Sequence, residues 1–377
     1  MTDSLHRVHG LAADDVHPDW PPLTPAELAA LLARYPQLAP VDAITWHSPR
    51  PLSAAALVAT AGGIVFVKRH HVSVRTRATL AEEHVYMAWL RDRGIPVPAV
   101  LADSQACTAI ALGEWTYEVQ APAAGIDLYR ETVSWEPLPD LAHAHAAGAM
   151  LARLHDAAAG YTAKQRTTHL LVARSELIEA ADPLAALAAQ LPQRPGLARY
   201  LARRDWRAEL GEALAPFHAR VHARLAAQPP LWTHGDWHVS NLCWSDHSSM
   251  ASITAVLDFG LAARTFALFD LATAIERNAI AWLALDSDHA AHPDTACALI
   301  AGYRSQRPLS GSDIDLLADL LPLVHVDFAL SEVEYFAAIT HSPANADVAW
   351  HTFLRGHAAW FATAAGHALV DDIRALA

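Results

Sequence analysis

The stretch HGDWHVSN, residues 234–241, places two histidines, an aspartate and an asparagine within eight positions. Two kinds of chemistry could use them. His234 and His238 have the H-x-x-x-H spacing of a zinc pair on a helix. However, Gly235 lies between them, the flanking residues read as strand, and no third ligand is indicated. The other chemistry rests on Asp236 and Asn241, with the histidines as scaffold. A carboxylate on such a loop can accept a proton from an attacking hydroxyl.

The residues that follow supply a second acid. After Asn241 come LCW, a polar turn SDHSSM, and SITAVLDFG. The flanks read as the two strands of an antiparallel hairpin, in which the start of the first strand lies beside the end of the second. Asn241 and Asp258, 17 positions apart, are therefore expected as neighbours. An amide oxygen beside a carboxylate suits a hard cation such as Mg²⁺, which takes few protein ligands and leaves room for phosphate and water.

Upstream, a helix predicted from Arg77 to Arg93 carries Leu80, Met87 and Leu90 on one stripe, and Glu83 falls on that stripe while Glu82 does not. An acid on an inward face needs a partner, because an unpaired buried charge is too costly. Lys68, ending the apolar run GIVFVKRH, is the candidate. A lysine held by a glutamate presents a fixed positive charge to phosphates.

The elements that must hold these groups divide the chain in two. TPAELAALLARY, with Thr24 as N-cap, Pro25 and Glu27, predicts a helix after a loosely ordered stretch over 1–23. Runs at 44–48, 53–60 and 63–70, then 106–112 and 114–120, read as about five short strands, with turns at Gly62–Gly63 and Gly113. Beyond Gly125 the chain turns Ala- and Leu-rich. Helical stretches are expected at about 140–159, 172–190, 196–226, 269–285, 290–304, 312–340 and 345–374, with Ser312 starting the penultimate set and strand-like residues near 231–259. The expectation is an α+β, two-lobe chain: an N-terminal extension with one helix (1–40), a small sheet lobe (41–121) and a helical lobe (122–377).

Composition narrows the function. The 377 residues are 53% hydrophobic and 18% charged, as in a globular protein, and a net charge of −13 argues against general nucleic-acid binding. Cys107, Cys243 and Cys297 are too scattered for a disulfide framework or a Cys-x-x-Cys site. No apolar signal core and no run of about 18 uncharged apolar residues is present, so a soluble, cytoplasmic protein with no membrane partner is expected. Nothing in the sequence fixes an oligomeric state.

Together the motifs resemble a known arrangement. HGDWHVSN fits the kinase catalytic-loop pattern H-x-D-x-x-x-x-N, DFG fits the metal-binding triplet, and a strand Lys with a helix Glu completes the set. The HGD form, with LARLH at 151–155, IPVP at 95–98 and FDLA at 269–272, resembles the aminoglycoside phosphotransferase and choline kinase-like family over roughly residues 44 to 285. The resemblance implies a protein-kinase-like fold with Mg·ATP between two lobes and a small-molecule hydroxyl as acceptor. Asp236 would be the catalytic base, Asn241 and Asp258 the Mg²⁺ ligands, and Lys68 the phosphate contact braced by Glu83. His234 would be structural, Asp270 would anchor the catalytic loop, and Ala121 and Ala123 would bind adenine through their backbone. The Gly-rich loop of protein kinases is missing: HSPRPLS at 47–53 occupies its place and contains no glycine, and Ser48 and Ser53 could donate hydrogen bonds there. Known acceptors in the family include aminoglycosides, choline, homoserine, methylthioribose, sugars and some protein Ser/Thr. The helical lobe offers no legible acceptor motif, though Glu276, Arg277, Glu332, Glu334 and Tyr335 could line a pocket or form solvated helix faces. A protein Ser/Thr kinase of the bacterial stress-response type is the alternative acceptor class. A non-catalytic nucleotide-binding module is the alternative to an enzyme, and the intact Lys68, Asp236, Asn241 and Asp258 set argues against it.

Overall fold

A computed structural model describes the backbone of residues 6–7, 15–16, 18–50, 52–130, 132, 135–285, 287 and 289–377. Most of the stretch expected to be loosely ordered, and Pro51 of HSPRPLS, lie outside these residues. The chain forms two compact units: Met1–Gly125 with Thr254–Leu257, and Ile126–Ile253 with Asp258–Ala377. Among the described residues no helix is long and apolar enough to cross a membrane.

In the first unit, β1 (His6–Arg7) and β2 (Asp15–Val16) pair antiparallel. Helix α1 (Pro25–Leu32) starts on the expected capping box: the Thr24 hydroxyl accepts from the Glu27 N–H and the Glu27 carboxylate accepts from the Thr24 N–H. Strands β3 (Val41–His47), β4 (Ala54–Thr60), β5 (Gly63–His71), β6 (Ala109–Leu112) and β7 (Trp115–Gln120) form one antiparallel sheet in the order β3-β4-β5-β7-β6. Helix α2 (Arg77–Arg91) lies between β5 and β6 in the chain and is capped by Thr76.

The strand period of two divides this sheet chemically. Ala54, Ala56, Val58, Val65, Val67, Tyr117 and Val119 join Leu28, Leu31, Leu32 and Tyr35 in one hydrophobic core, so α1 covers that face. Helix α1 is thus built into the sheet unit, and a polar clamp fixes it there. Arg69 Nη1 lies 2.7 Å from Glu27 Oε1, the Tyr117 hydroxyl donates to the same oxygen, and Arg69 also donates to the Pro21 carbonyl.

The second unit is mostly helical. It contains α3 (Leu141–Ala158), α4 (Glu176–Glu179), α5 (Pro183–Gln190), α6 (Pro195–Leu201) and α7 (Trp206–Leu225). Then come β8 (Pro230–Thr233), β9 (Leu242–Trp244), β10 (Ile253–Val256), of which only Ile253 belongs to this unit, and β11 (Ala263–Phe266). The remaining helices are α8 (Ala267–Asn278), α9 (Pro293–Gln306), α10 (Gly311–Leu320), α11 (Val326–Ala338), α12 (Pro343–Val348), a π-helical stretch Ala349–Gly356, α13 (His357–Phe361) and α14 (Ala364–Arg374). Strands β9 and β10 pair as the predicted hairpin, and β8 pairs antiparallel with β11.

Several long helical stretches expected from composition are broken. Asp182–Pro183 ends one and caps the next, Pro195 opens α6, and Asp205 caps α7. The 312–340 stretch divides into α10 and α11 around Pro322, which has no N–H to give a helix. Helix α10 is capped by Ser310, with Asp313 completing a capping box, rather than by Ser312.

Helices α3 and α9 approach closely through glycine. A Cβ on Gly302 would fall 1.9 Å from the His145 carbonyl oxygen, a backbone atom that cannot swing aside. Gly302→Ala is therefore expected to destabilise the fold by about 1–3 kcal/mol, the usual cost of overpacking, read as a lower urea midpoint with unchanged slope. An unchanged midpoint would show that the two helices can separate without penalty.

Candidate active site

The loop 234–241 is held from below by one buried acid. Asp270, in the first turn of α8, is 0% exposed. Its Oδ2 accepts the His234 N–H at 2.9 Å and its Oδ1 the Gly235 N–H at 2.8 Å. His155 Nε2, from α3, lies 3.0 Å from Oδ2, and the far side of that ring, Nδ1, lies 2.8 Å from the Tyr303 hydroxyl on α9. Burial by itself would raise the Asp270 pKa. The His155 hydrogen bond and charge, the nearby His234 and the Gly235 N–H outweigh it and hold the carboxyl below its ordinary value.

Gly235 is required by this geometry. Its φ is +77°, and a Cβ there would lie 2.7 Å from Ala173 Cβ and 2.8 Å from the Leu261 carbonyl oxygen. Asn278, at the end of α8, holds the other side of the loop: Oδ1 accepts from the Val239 N–H at 3.0 Å, and Nδ2 donates to the Trp237 carbonyl at 2.7 Å. His238 Nδ1 accepts from the Ser240 N–H, capping the short turn Val239–Asn241. His234 Nδ1 accepts from the Asp236 N–H at 3.2 Å, and its ring packs on Phe259 with centroids 4.8 Å apart. The HGD and DFG motifs thus meet through His234 and Phe259. Among the described residues no three His, Cys, Asp or Glu side chains gather into a metal cage.

Asp236 is presented from both sides. Arg277 Nη1 is 2.8 Å from its Oδ1, and Asn241 Nδ2 donates to its Oδ2 at 3.1 Å and to its carbonyl at 2.9 Å. One fifth of the side chain remains exposed. Because Asn241 spends its NH₂ on Asp236, its Oδ1 is left as an acceptor. Asp258 adopts a left-handed backbone, φ 54° and ψ 76°, which Asp tolerates better than most residues, and its Oδ1 accepts the Gly260 N–H at 3.3 Å. The amide oxygen of Asn241 and the carboxylate of Asp258 are hard oxygen donors of the kind that could hold Mg²⁺.

Arg277, Asn278 and His155 carry more than the sequence suggested. Helix α8 is buried on every side, from Leu268 to Asn278. The polar run Glu276-Arg277-Asn278 ending so apolar a helix was the available signal. Glu276, Arg277, Glu334 and Tyr335 are all buried, so none belongs to a solvated helix face.

In the first unit, Lys68 on β5 sits opposite Glu118 on β7, on the sheet face turned away from α1. Glu83 of α2 is 2% exposed, on the stripe with Leu80, Met87 and Leu90. Glu118 was missed from sequence. His70 Nε2 and His84 Nε2 each lie 3.2 Å from one of its carboxylate oxygens, and Gln120 donates to it at 2.6 Å. Burial pushes the Glu118 pKa up, but hydrogen bonds from the two histidines prevail and hold it well below the carboxylate range. The Ala121 N–H is engaged by the Ala99 carbonyl at 2.8 Å. Ser48 donates its N–H to the Ala55 carbonyl and accepts from the Arg50 N–H through its hydroxyl.

Comparison with known proteins shows a family and a shared fold. A family model described as the phosphotransferase enzyme family matches residues 52–308. No curated protein matches the chain in sequence. Among solved structures, an amicoumacin kinase in complex with AMP-PNP, Ca²⁺ and Ami is 13% identical over 88% of this chain and 92% of its own, with a TM-score of 0.58. A microcompartment-associated aminopropanol kinase is 16% identical over 93% and 100%, with a TM-score of 0.54. A putative aminoglycoside phosphotransferase from Ralstonia eutropha is 15% identical over 92% and 97%, with a TM-score of 0.52. At these identities the likeness is one of fold.

Asp270→Asn would set an NH₂ group against donors and is expected to cost about 3–5 kcal/mol, as breaking a buried charged pair does. The sign with pH follows from the lowered pKa. The stabilisation is present above the unfolded carboxyl value of about 3.9 and is lost as pH falls through the folded value. Acid denaturation followed by circular dichroism should therefore be less steep in Asp270→Asn, and an unchanged acid limb would overturn this account.

Proposed function

The chain belongs to the phosphotransferase enzyme family and is an enzyme of the kinase type. From that premise we propose that it transfers the γ-phosphate of ATP to a hydroxyl of a small molecule, with Asp236 as the group that orients and deprotonates that hydroxyl. The observation that carries the reading is the two-sided hold on Asp236, Arg277 on one carboxylate oxygen and Asn241 on the other, with part of the side chain still open.

Phosphoryl transfer passes through a loose transition state, so positioning and electrostatics do most of the work. Asp236 accepts the acceptor's hydrogen bond and, late in the transfer, its proton. Its carboxylate keeps one orientation because Arg277 and Asn241 cannot both be satisfied in another. Asn241 Oδ1 and Asp258 would hold Mg²⁺, which offsets phosphate charge when bound. Lys68, braced by Glu83, would contact the α/β-phosphates, and the backbone at Ala121 and Ala123 would take the adenine. At Ala121 the carbonyl is the group available, since the N–H is engaged by Ala99. The acceptor class is supported by the family and by the names of similar structures, a kinase of amicoumacin and one of aminopropanol.

Asp236→Asn should leave Mg·ATP affinity largely intact and cut kcat by about 10²–10⁴-fold, the range of a positioned proton acceptor; full activity in that variant would remove the role assigned to Asp236. Mg·ATP at about 100 times its Kd should stabilise the wild type by about 2.7 kcal/mol, visible as a rise in Tm. In Asp258→Ala that rise should vanish. Persistence of the full shift would reassign the metal ligand.

A further inference from the structure

Arg277 holds Asp236, so whatever holds Arg277 bears on the transfer. The residue is 7% exposed, and its guanidinium stays charged at any working pH. Nη1 reaches Asp236 Oδ1 at 2.8 Å. Nε is buried and has no hydrogen-bond partner among the described residues. A buried cation with so few hydrogen bonds needs another source of stabilisation.

Two aromatic rings supply it. The guanidinium carbon lies 4.7 Å from the Trp135 ring centroid and 5.2 Å from that of Phe328 on α11. Both fall within the roughly 6 Å over which a ring face attracts a cation, and the attraction grows where water is excluded. The Trp135 ring is itself confined. It meets Phe353 edge-on with centroids 5.0 Å apart, and His357 likewise at 5.9 Å.

The backbone at Trp135 is strained to reach this place. Its φ is +91°, which a bulky side chain adopts only where its surroundings impose it. Three contacts fix the segment. The Leu138 N–H donates to the carbonyl of Asn278, the neighbour of Arg277, at 2.9 Å. The Leu138 carbonyl accepts from the Thr295 hydroxyl at 3.1 Å. His238 Nε2 lies 3.4 Å from the Glu136 carbonyl. Because His238 Nδ1 accepts from the Ser240 N–H, Nε2 carries the ring proton and directs it to that carbonyl. Residues 135–138 are thus strapped to the loop that carries Asp236 and to the end of the helix that carries Arg277.

We propose that Trp135 is a positioning residue that acts on Asp236 through Arg277. With Phe328 it confines the guanidinium to the place from which Nη1 holds the carboxylate, and the strap to Leu138 sets the indole there. Without a ring face against it, the guanidinium turns toward water, and Asp236 loses one of its two fixed partners. The inference rests on Asp236 as the acceptor-orienting group.

The test needs no identified acceptor. With water in that role, its oxygen attacks the γ-phosphorus, the bond to the β-phosphate oxygen breaks, and the proton passes to Asp236. Release of ADP from Mg·ATP reports the rate. Trp135→Leu keeps apolar bulk without a ring, whereas Trp135→Phe keeps a ring face. Trp135→Leu should lower kcat by about 10- to 100-fold, as a catalytic group displaced by an ångström can cost, with the KM for ATP unchanged. Trp135→Phe should recover most of that loss. In an Asp236→Asn background Arg277 has no carboxylate to hold, so adding Trp135→Leu should cost nothing further, because residues that act as one unit are not additive. Phe328→Leu removes the other ring and carries the same test where Trp135→Leu melts below the assay temperature. Equal rates in Trp135→Leu and Trp135→Phe, or the same factor lost with and without the Asp236 carboxylate, overturn the proposal and leave the indole as packing alone. Wild-type rates in Asp236→Asn would instead remove the Asp236 reading itself, and the proposal with it.

Discussion

A carboxylate with no access to water organises the second unit. Asp270 accepts two backbone N–H groups from the start of the loop and faces an imidazole from α3. Burying such a charge is expensive, and only a full set of donors offsets it. That requirement constrains everything around it. The His234–Gly235 backbone must turn its N–H groups inward, which forces the positive φ at Gly235, and α3 must lie close enough for His155 to reach. Tyr303 extends the chain of contacts to α9, the helix that Gly302 allows to approach the α3 backbone. The backbone of the loop that carries Asp236 is therefore held largely by residues buried away from solvent.

Much of this loop was legible in the sequence because its information is local. The spacing of Asp236 and Asn241 and the hairpin leading to Asp258 are short-range features that backbone geometry ties together. The inward stripe of Glu83 was legible for the same reason, as was the Thr24–Glu27 cap. Arg277, Asn278 and His155 were not, since each finds its partner across the fold: Arg277 with Asp236, Asn278 with Val239, His155 with Asp270. A helix buried all round gives no periodic cue to the direction of its polar residues. Glu118 was hidden differently: a glutamate within WTYEVQ is unremarkable until two histidines from other elements converge on it. The overestimated helix lengths have a simpler cause, because Ala- and Leu-rich composition masks the Pro and Asp residues that end one helix and begin another.

Net charge also misleads about the interior. The chain carries −13 overall, yet several arginines are buried in the second unit and act as staples for irregular backbone. Arg166 donates to the Ala262 carbonyl and Arg174 to the carbonyls of Arg166 and Thr168, while Arg194 donates to the buried Glu334 carboxylate. The planar guanidinium, with five donors and a constant charge, suits this work where a lysine would not. Arg277 differs in that its acceptor is a side chain open to solvent.

The two faces of β5 show what such a division of chemistry does to a strand. Val65, Val67 and Arg69 point to α1, while Lys68 and His70 point to Glu118 and α2. Sliding β5 by one residue would thrust an ammonium group and an imidazole into the leucines of α1 and leave valines against a buried carboxylate. Both sides reject the slip independently, so register here is over-determined. Alignment of the strand and placement of its lysine are one and the same constraint, and the greasy underside of the sheet keeps the ammonium group in position without touching it.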